Sequence, residues 1–164
     1  MPYENGYFRV CMATYVVLQR DDGKVFLMRR KNTNWLNGYY NVPAGRVERH
    51  ETMVSSAICE LKEEAGVDVA LEDLNLFLVS NRYTGSDTDS QPDWIDFYYF
   101  AEKWQGTPHI AEEQYCDHAD WYDLNDQSIQ IVPSIKDALS YLNEKNRSYG
   151  LYSPEHNYSN RKVA

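Results

Sequence analysis

Val54, Ala57, Ile58, Leu61 and Ala65 recur at i, i+3, i+4, i+7 and i+11. On a helix that spacing gathers them into one apolar stripe, which must lie against a second apolar surface to leave water. The spacing therefore predicts an amphipathic helix over about 52–65, docked on a sheet or on another helix. Thr52 suits its N-cap and Gly66 its C-terminal stop. The remaining arc carries Glu60, Glu63 and Glu64. Relative to Glu60, Glu64 lies about 40° to one side and Glu63 about 60° to the other. Like charges three and four residues apart repel by about 0.2–0.5 kcal/mol per pair, so the arrangement calls for a positive partner. Carboxylates fixed on an anchored helix suit a hard, oxygen-loving cation, and no His or Cys pair stands beside them. That set favours Mg²⁺ or Mn²⁺ over Zn²⁺. The plainer alternative is a solvated acidic face around Lys62.

The rest of the chain is rich in strands. FRVCMATYVVL (8–18) reads as one, and Asp22-Gly23 signals a hairpin turn before a returning strand VFLMRR (25–30). KNTNWLNGYYN reads as a polar, aromatic loop, and VPAG leads into the helix. Residues 73–83 and 94–104 read as strands, 84–93 as loop, and 120–124 as a short strand or turn. A second helix over 133–145 follows from Pro133 near its start and a stripe of Ile135, Ala138, Leu139 and Leu142. This order predicts an α+β fold, a sheet covered by helices. Residues 1–148 read as a single domain and 149–164 as a polar, tyrosine-rich tail.

Of 164 residues, 43% are hydrophobic, enough for a packed core. The net charge of −9 argues against a sequence-independent grip on a nucleic-acid polymer. No apolar run is long enough for a membrane span, and MPYENGYFRV lacks the order of a signal peptide. Cys11, Cys59 and Cys116 are scattered and odd in number, which predicts no disulfide framework and a cytoplasmic setting.

From Gly45 the chain reads GRVERHETMVSSAICELKEEAGV. This stretch resembles the Nudix box, G-x5-E-x7-R-E-U-x-E-E-x-G-U, where U is a bulky aliphatic residue. Gly45, Glu51, Glu60, Leu61, Glu63, Glu64, Gly66 and Val67 match in register, and Cys59 stands where the box has arginine. The preceding hairpin, the VPAG entry and the WYDL segment also look like Nudix domains. The resemblance implies the Nudix fold, an α/β/α sandwich with a mixed β-sheet and a loop–helix–loop box. It implies Mg²⁺-dependent pyrophosphohydrolysis of a nucleoside diphosphate linked to a second group, a small-molecule substrate. It also implies Glu60, Glu63, Glu64 and the carbonyl of Ala44 as metal ligands, with Gly45 and Glu51 in support. Many relatives dimerise, so a homodimer is an expectation.

The same resemblance offers two general bases, Glu60 and Glu112, the latter from the segment HIAEEQYCD; the plainer reading of Glu112 is a solvated loop acid. It offers Arg30 as a phosphate contact. Neighbouring strand residues face opposite sides, so at most one of Arg29 and Arg30 can point into a site. Tyr39, Tyr40, Trp94 and Trp121 are candidates to hold a flat ring, or else are packing residues. His50, His109, His118 and His156 show no ligand spacing, and Cys116 reads as a small buried apolar residue. The missing box arginine leaves an alternative function, a nucleotide-binding or regulatory module weakened in catalysis. Cys59 itself reads either as a lost brace for the box carboxylates or as a core filler. A Nudix isomerase is a further rival, whose cysteine and glutamate signature is not evident.

Overall fold

The computed structural model describes residues 10–83 and 92–142 in full, together with the backbone of strands at 3–4, 7–8 and 148–152. In chain order the elements are β1 (Tyr3–Glu4), β2 (Tyr7–Phe8), β3 (Val10–Leu18), β4 (Val25–Arg30), β5 (Tyr40–Asn41) and β6 (Ala44–Arg46). Then come α1 (Met53–Ala65), a 3₁₀ turn at Leu71–Asp73, β7 (Asn75–Arg82), β8 (Asp93–Ala101), β9 (Cys116–Tyr122), α2 (Pro133–Leu139) and β10 (Ser148–Tyr152). A mixed sheet runs β10-β7-β8-β3-β6, and an antiparallel sheet runs β5-β4-β9. β1 and β2 pair by themselves.

Period-two alternation sorts side chains into two cores. Val16 and Leu18 of β3, Phe26 and Met28 of β4, and Tyr99 and Ala101 of β8 join Ala57, Leu61 and Ala65 of α1. Their neighbours Val17, Val25, Leu27 and Tyr98 join Ile135, Ala138 and Leu139 of α2. Strands buried on both faces carry near-continuous apolar runs, and YVVL and VFLM are such runs. The apolar stripe of α1 is buried as its spacing predicts, with Val54 and Ile58 at its margin. Thr52 caps it: its hydroxyl accepts from Ser55 N–H, and Ser55 Oγ accepts from Thr52 N–H. Gly66 ends it in the left-handed region, φ 70°.

Four features depart from the sequence reading. Gly23 does turn the chain between β3 and β4, but beyond a bridge from Gln19 to Val25 the two strands enter different sheets. β3 instead pairs in parallel with β8 along its whole length, Val10 with Asp93 through Leu18 with Ala101. β5 and β6 are strands inside what reads as loop. Residues 148–152, at the start of the expected tail, lie parallel to β7 from Leu78 to Arg82; 153–164 lie outside the described residues. Finally, α2 is shorter than 133–145. Ser140 Oγ takes the Asp137 carbonyl, and Tyr141 and Leu142 bond three residues back, tightening the chain out of the α-helix.

Candidate active site

β6 is the edge strand beside α1, and its register decides what it offers. Val16 N–H donates to Pro43 and Val47 N–H to Met12. Ala44 faces Tyr15 between those bonded pairs, so its own N–H and C=O point away from β3. The N–H donates to Glu64 Oε2 at 2.8 Å. One residue on, Gly45 lets the Glu60 carboxylate lie against the strand, because a Cβ there would fall inside that group. Ser56 fixes the helix to the strands from below, bonding Thr14 Oγ1 and the Arg46 carbonyl at 3.3 Å each.

The far end of α1 positions the third acid. His109 N–H donates to the Ala65 carbonyl and Ala111 N–H to that of Glu64, occupying helix carbonyls that would otherwise lack partners. A Cβ on Gly66 would strike the His109 ring, so the left-handed glycine also makes room for this loop. The loop then turns at 112–115, and Glu112 borders a cleft with Glu64, Arg30, Thr33, Asn41 and Tyr115. The cleft opens to solvent.

Electrostatically this corner is short of positive charge. Burial and the charges of Glu63, Glu112, Glu51 and Glu48 push the Glu60 carboxyl up to about 7. Burial, Glu60 and Glu112 push Glu64 up to about 8, against the Ala44 hydrogen bond and Arg30, which pull it down. Glu63 and Glu64 also stand in the last turn of α1, where the helix dipole is negative. Among the described residues no three carboxylate, imidazole or thiolate groups converge as tightly as a chelated ion requires.

Arg30 is half-buried, its pKa lowered by desolvation and held up by Glu64, and its Nε donates to the Trp35 carbonyl at 3.2 Å. Arg29 also borders the cleft, yet its guanidinium is held by Asp117 at 2.7 Å. The register with β9 slips here, Arg29 facing His118 and Arg30 facing Cys116 with Asp117 left over, and both arginines border the cleft where alternation predicts only one. Glu51 is turned back on its own loop, accepting from Glu48 N–H; it reaches Glu60 through charge alone.

Cys59 is exposed, which overturns the core-filler reading. Two nearby cations are engaged elsewhere: Lys62 pairs with Asp68, and Arg46 lies 5.4 Å over the Trp94 ring. A cation at position 59 would stand one helical turn from Glu63 and beside Glu60. Cys59→Arg is therefore expected to raise kcat about two- to fivefold at saturating metal with KM similar, the scale of an exposed ion pair. Steady-state kinetics of the folded variant check this, and an unchanged kcat means that another residue already braces the site or that none is needed.

Three of the four aromatic candidates have partners elsewhere, and the fourth, Tyr39, packs against the core that includes α2. Trp121 stacks on Trp104, and Tyr40 bonds Tyr122 and His118 through its hydroxyl. Trp94 is flanked by Arg46 and by Arg82, whose guanidinium grips the fully buried Asp96 at 2.8 and 3.1 Å. That pair, Glu48 and the uncompensated Asn41 Oδ1 buried beside the cleft were missed from sequence; no local pattern marks them. Cys116 is buried as expected, its thiol pushed up by burial. His109 packs on Gly66 and His118 on the tyrosines. His50 carries a positive φ of 75°, and His156 lies outside the described residues.

No helix among the described residues is long and apolar enough to cross a membrane. The NUDIX domain model matches residues 10–141. A Nudix hydrolase of Bacillus subtilis named YvcI, itself uncharacterized, is 27% identical over 133 residues, covering 79% of this chain and 77% of its own. The ADP-ribose pyrophosphatase of Methanocaldococcus jannaschii is 25% identical over 140 residues, covering 85% and 78%. The crystal structure of a MutT NUDIX hydrolase from Burkholderia pseudomallei superposes with a TM-score of 0.71 at 22% identity, over 82% of this chain and 98% of that one. That neighbour shares the α+β fold, and with the family model spanning β3 to the turn after α2 the chain belongs to the Nudix hydrolase family.

Proposed function

We propose that this Nudix hydrolase is a Mg²⁺-dependent pyrophosphohydrolase of a nucleoside diphosphate linked to a second group. The observation that carries the reading is a cleft bordered by Glu64, Glu112 and Arg30, with Glu60 near enough to Glu64 and Glu112 to feel their charge. Glu60 and Glu64, raised to about 7 and about 8, ionise fully near neutral pH only if positive charge joins them. The donor set is all oxygen, and the Ala44 carbonyl faces away from β3, as its N–H to Glu64 does. These features fit Mg²⁺ or Mn²⁺, with Glu60, Glu63, Glu64 and Ala44 as the residues that would hold it. Bound there, the ion supplies charge neutralisation at phosphate and a more acidic water.

The chain supplies the rest. Arg30 holds a non-reacting phosphate oxygen through its guanidinium, whose orientation is set by the bond to Trp35. Glu112, on a loop fastened to the end of α1, takes the proton from the attacking water, while Glu60 and Glu64 stay committed to the cation. Gly45 and Glu51 act in support, one by leaving room and one by its charge.

A panel of nucleoside diphosphate derivatives, beginning with ADP-ribose because a relative bears that activity in its name, tests the reading with and without Mg²⁺. Metal-dependent release of a nucleoside monophosphate is expected, and binding without turnover of any member would favour the regulatory alternative. Within an active panel, Arg30→Ala is expected to raise KM about tenfold with a smaller change in kcat, because its contact is made equally in ground and transition states. An unchanged KM, or the same effect from Arg29→Ala instead, removes Arg30 from the site.

A further inference from the structure

We propose that Trp35 and Tyr115 form a ring-binding mouth on the cleft, which receives the heteroaromatic base of the nucleoside diphosphate substrate. The inference rests on the hydrolase reading above and extends it to the part of the substrate that does not react. Both side chains are large, apolar and out in solvent, 56% and 52% exposed. Tyr115 borders the cleft directly. Trp35 borders it through Arg30, whose guanidinium carbon lies 5.7 Å from the indole centroid. The same arginine faces Glu64. One cation thus joins the charged floor, suited to phosphate, to an aromatic rim, suited to a flat ring.

The two loops that carry these residues are built to hold them still. Lys31 N–H donates to the Tyr115 carbonyl at 2.8 Å, and Asn32 Nδ2 donates to the Gln114 carbonyl at 3.1 Å. Thr33 and Asn37 close the first loop on itself: Thr33 N–H donates to Asn37 Oδ1, Asn37 Nδ2 to the Thr33 carbonyl, and Thr33 Oγ1 to the Trp35 carbonyl, each at 2.9 Å. Leu36, beside the tryptophan, is held at φ 49°, a region that a branched side chain enters only under constraint. Such a framework costs conformational freedom, and its product is to present an indole to water. No ring contact joins Trp35 to Tyr115, so neither satisfies the other. A nucleobase has a π-face for either one, and stacking on an arginine-backed indole adds to the hold.

The test compares ADP-ribose with a diphosphate that joins two sugars and carries no base. Wild-type protein is expected to prefer ADP-ribose through KM. Trp35→Ala and Tyr115→Ala are each expected to shrink that preference about tenfold, and Trp35→Phe to retain most of it. Equal preference in the wild type, or an unchanged preference in both alanine variants, overturns the proposal. A binding readout runs beside it: ADP is expected to quench tryptophan emission in the wild type and in Trp104→Phe, but not in Trp35→Phe. If the wild type hydrolyses no diphosphate, the hydrolase reading fails and the emission titration decides alone. Quenching that depends on Trp35 then supports the ring site, and absence of quenching overturns it.

Discussion

Glu64→Gln is expected to lower turnover about 10³-fold while leaving the protein folded, and Glu63→Gln to act in the same direction. The magnitude is that of removing one preorganised electrostatic contact from a transition state. Glu64 is the clearer case because its position is fixed: Ala44 N–H holds Oε2 at 2.8 Å, and the Gln carbonyl oxygen can accept the same bond. The substitution removes the charge and leaves the geometry. Stability supplies a second readout with a definite sign. Burial and neighbouring acids raise the folded Glu64 to about 8 from an ordinary 4.5. A carboxyl raised in the folded state favours folding below its unfolded pKa, and that contribution is lost as pH rises through 4.5 toward 8. Metal-free wild-type protein should therefore lose thermal stability across that window, and Glu64→Gln should lose less. Near-normal turnover by the variant at limiting Mg²⁺ would remove Glu64 from the site.

The helix that carries this residue was readable from its residues alone, because its stripe, its Thr52 cap and its Gly66 stop are all local signals. The same period put Glu60, Glu63 and Glu64 on one arc, and the box resemblance added Ala44, Gly45 and Glu51 around them. What stayed illegible is non-local. The parallel pairing of β3 with β8 joins segments some eighty residues apart, and neither strand carries a mark of its partner. For the same reason β3 and β4 read as a simple hairpin, although their alternating residues serve two different cores. Glu112 could be named only through a resemblance, since its nearness to Glu60 and Glu64 depends on the bonds of His109 and Ala111 to the end of α1. Trp35 and Tyr115 gave no periodic signal, because loop side chains follow no period.

Gly45→Ala is expected to cost about a hundredfold in kcat/KM, more than a methyl group at a strand edge ordinarily does. Gly45 lies in β6 without a positive φ, so alanine can adopt its backbone. The three heavy atoms nearest the added Cβ all belong to the Glu60 carboxylate, the far end of a flexible side chain. The fold can therefore accept the methyl by swinging Glu60 away, and the loss falls on cation binding rather than on stability. The Mg²⁺ concentration for half-maximal activity should rise, with the melting temperature changed by only a few degrees. Non-additivity separates this route from a general distortion of the strand. In a Glu60→Gln background the carboxylate is already gone, so adding Gly45→Ala should cost little further. If the two losses multiply instead, Gly45 acts on the site by some path other than Glu60, and the close approach of strand and carboxylate is not what the glycine is for.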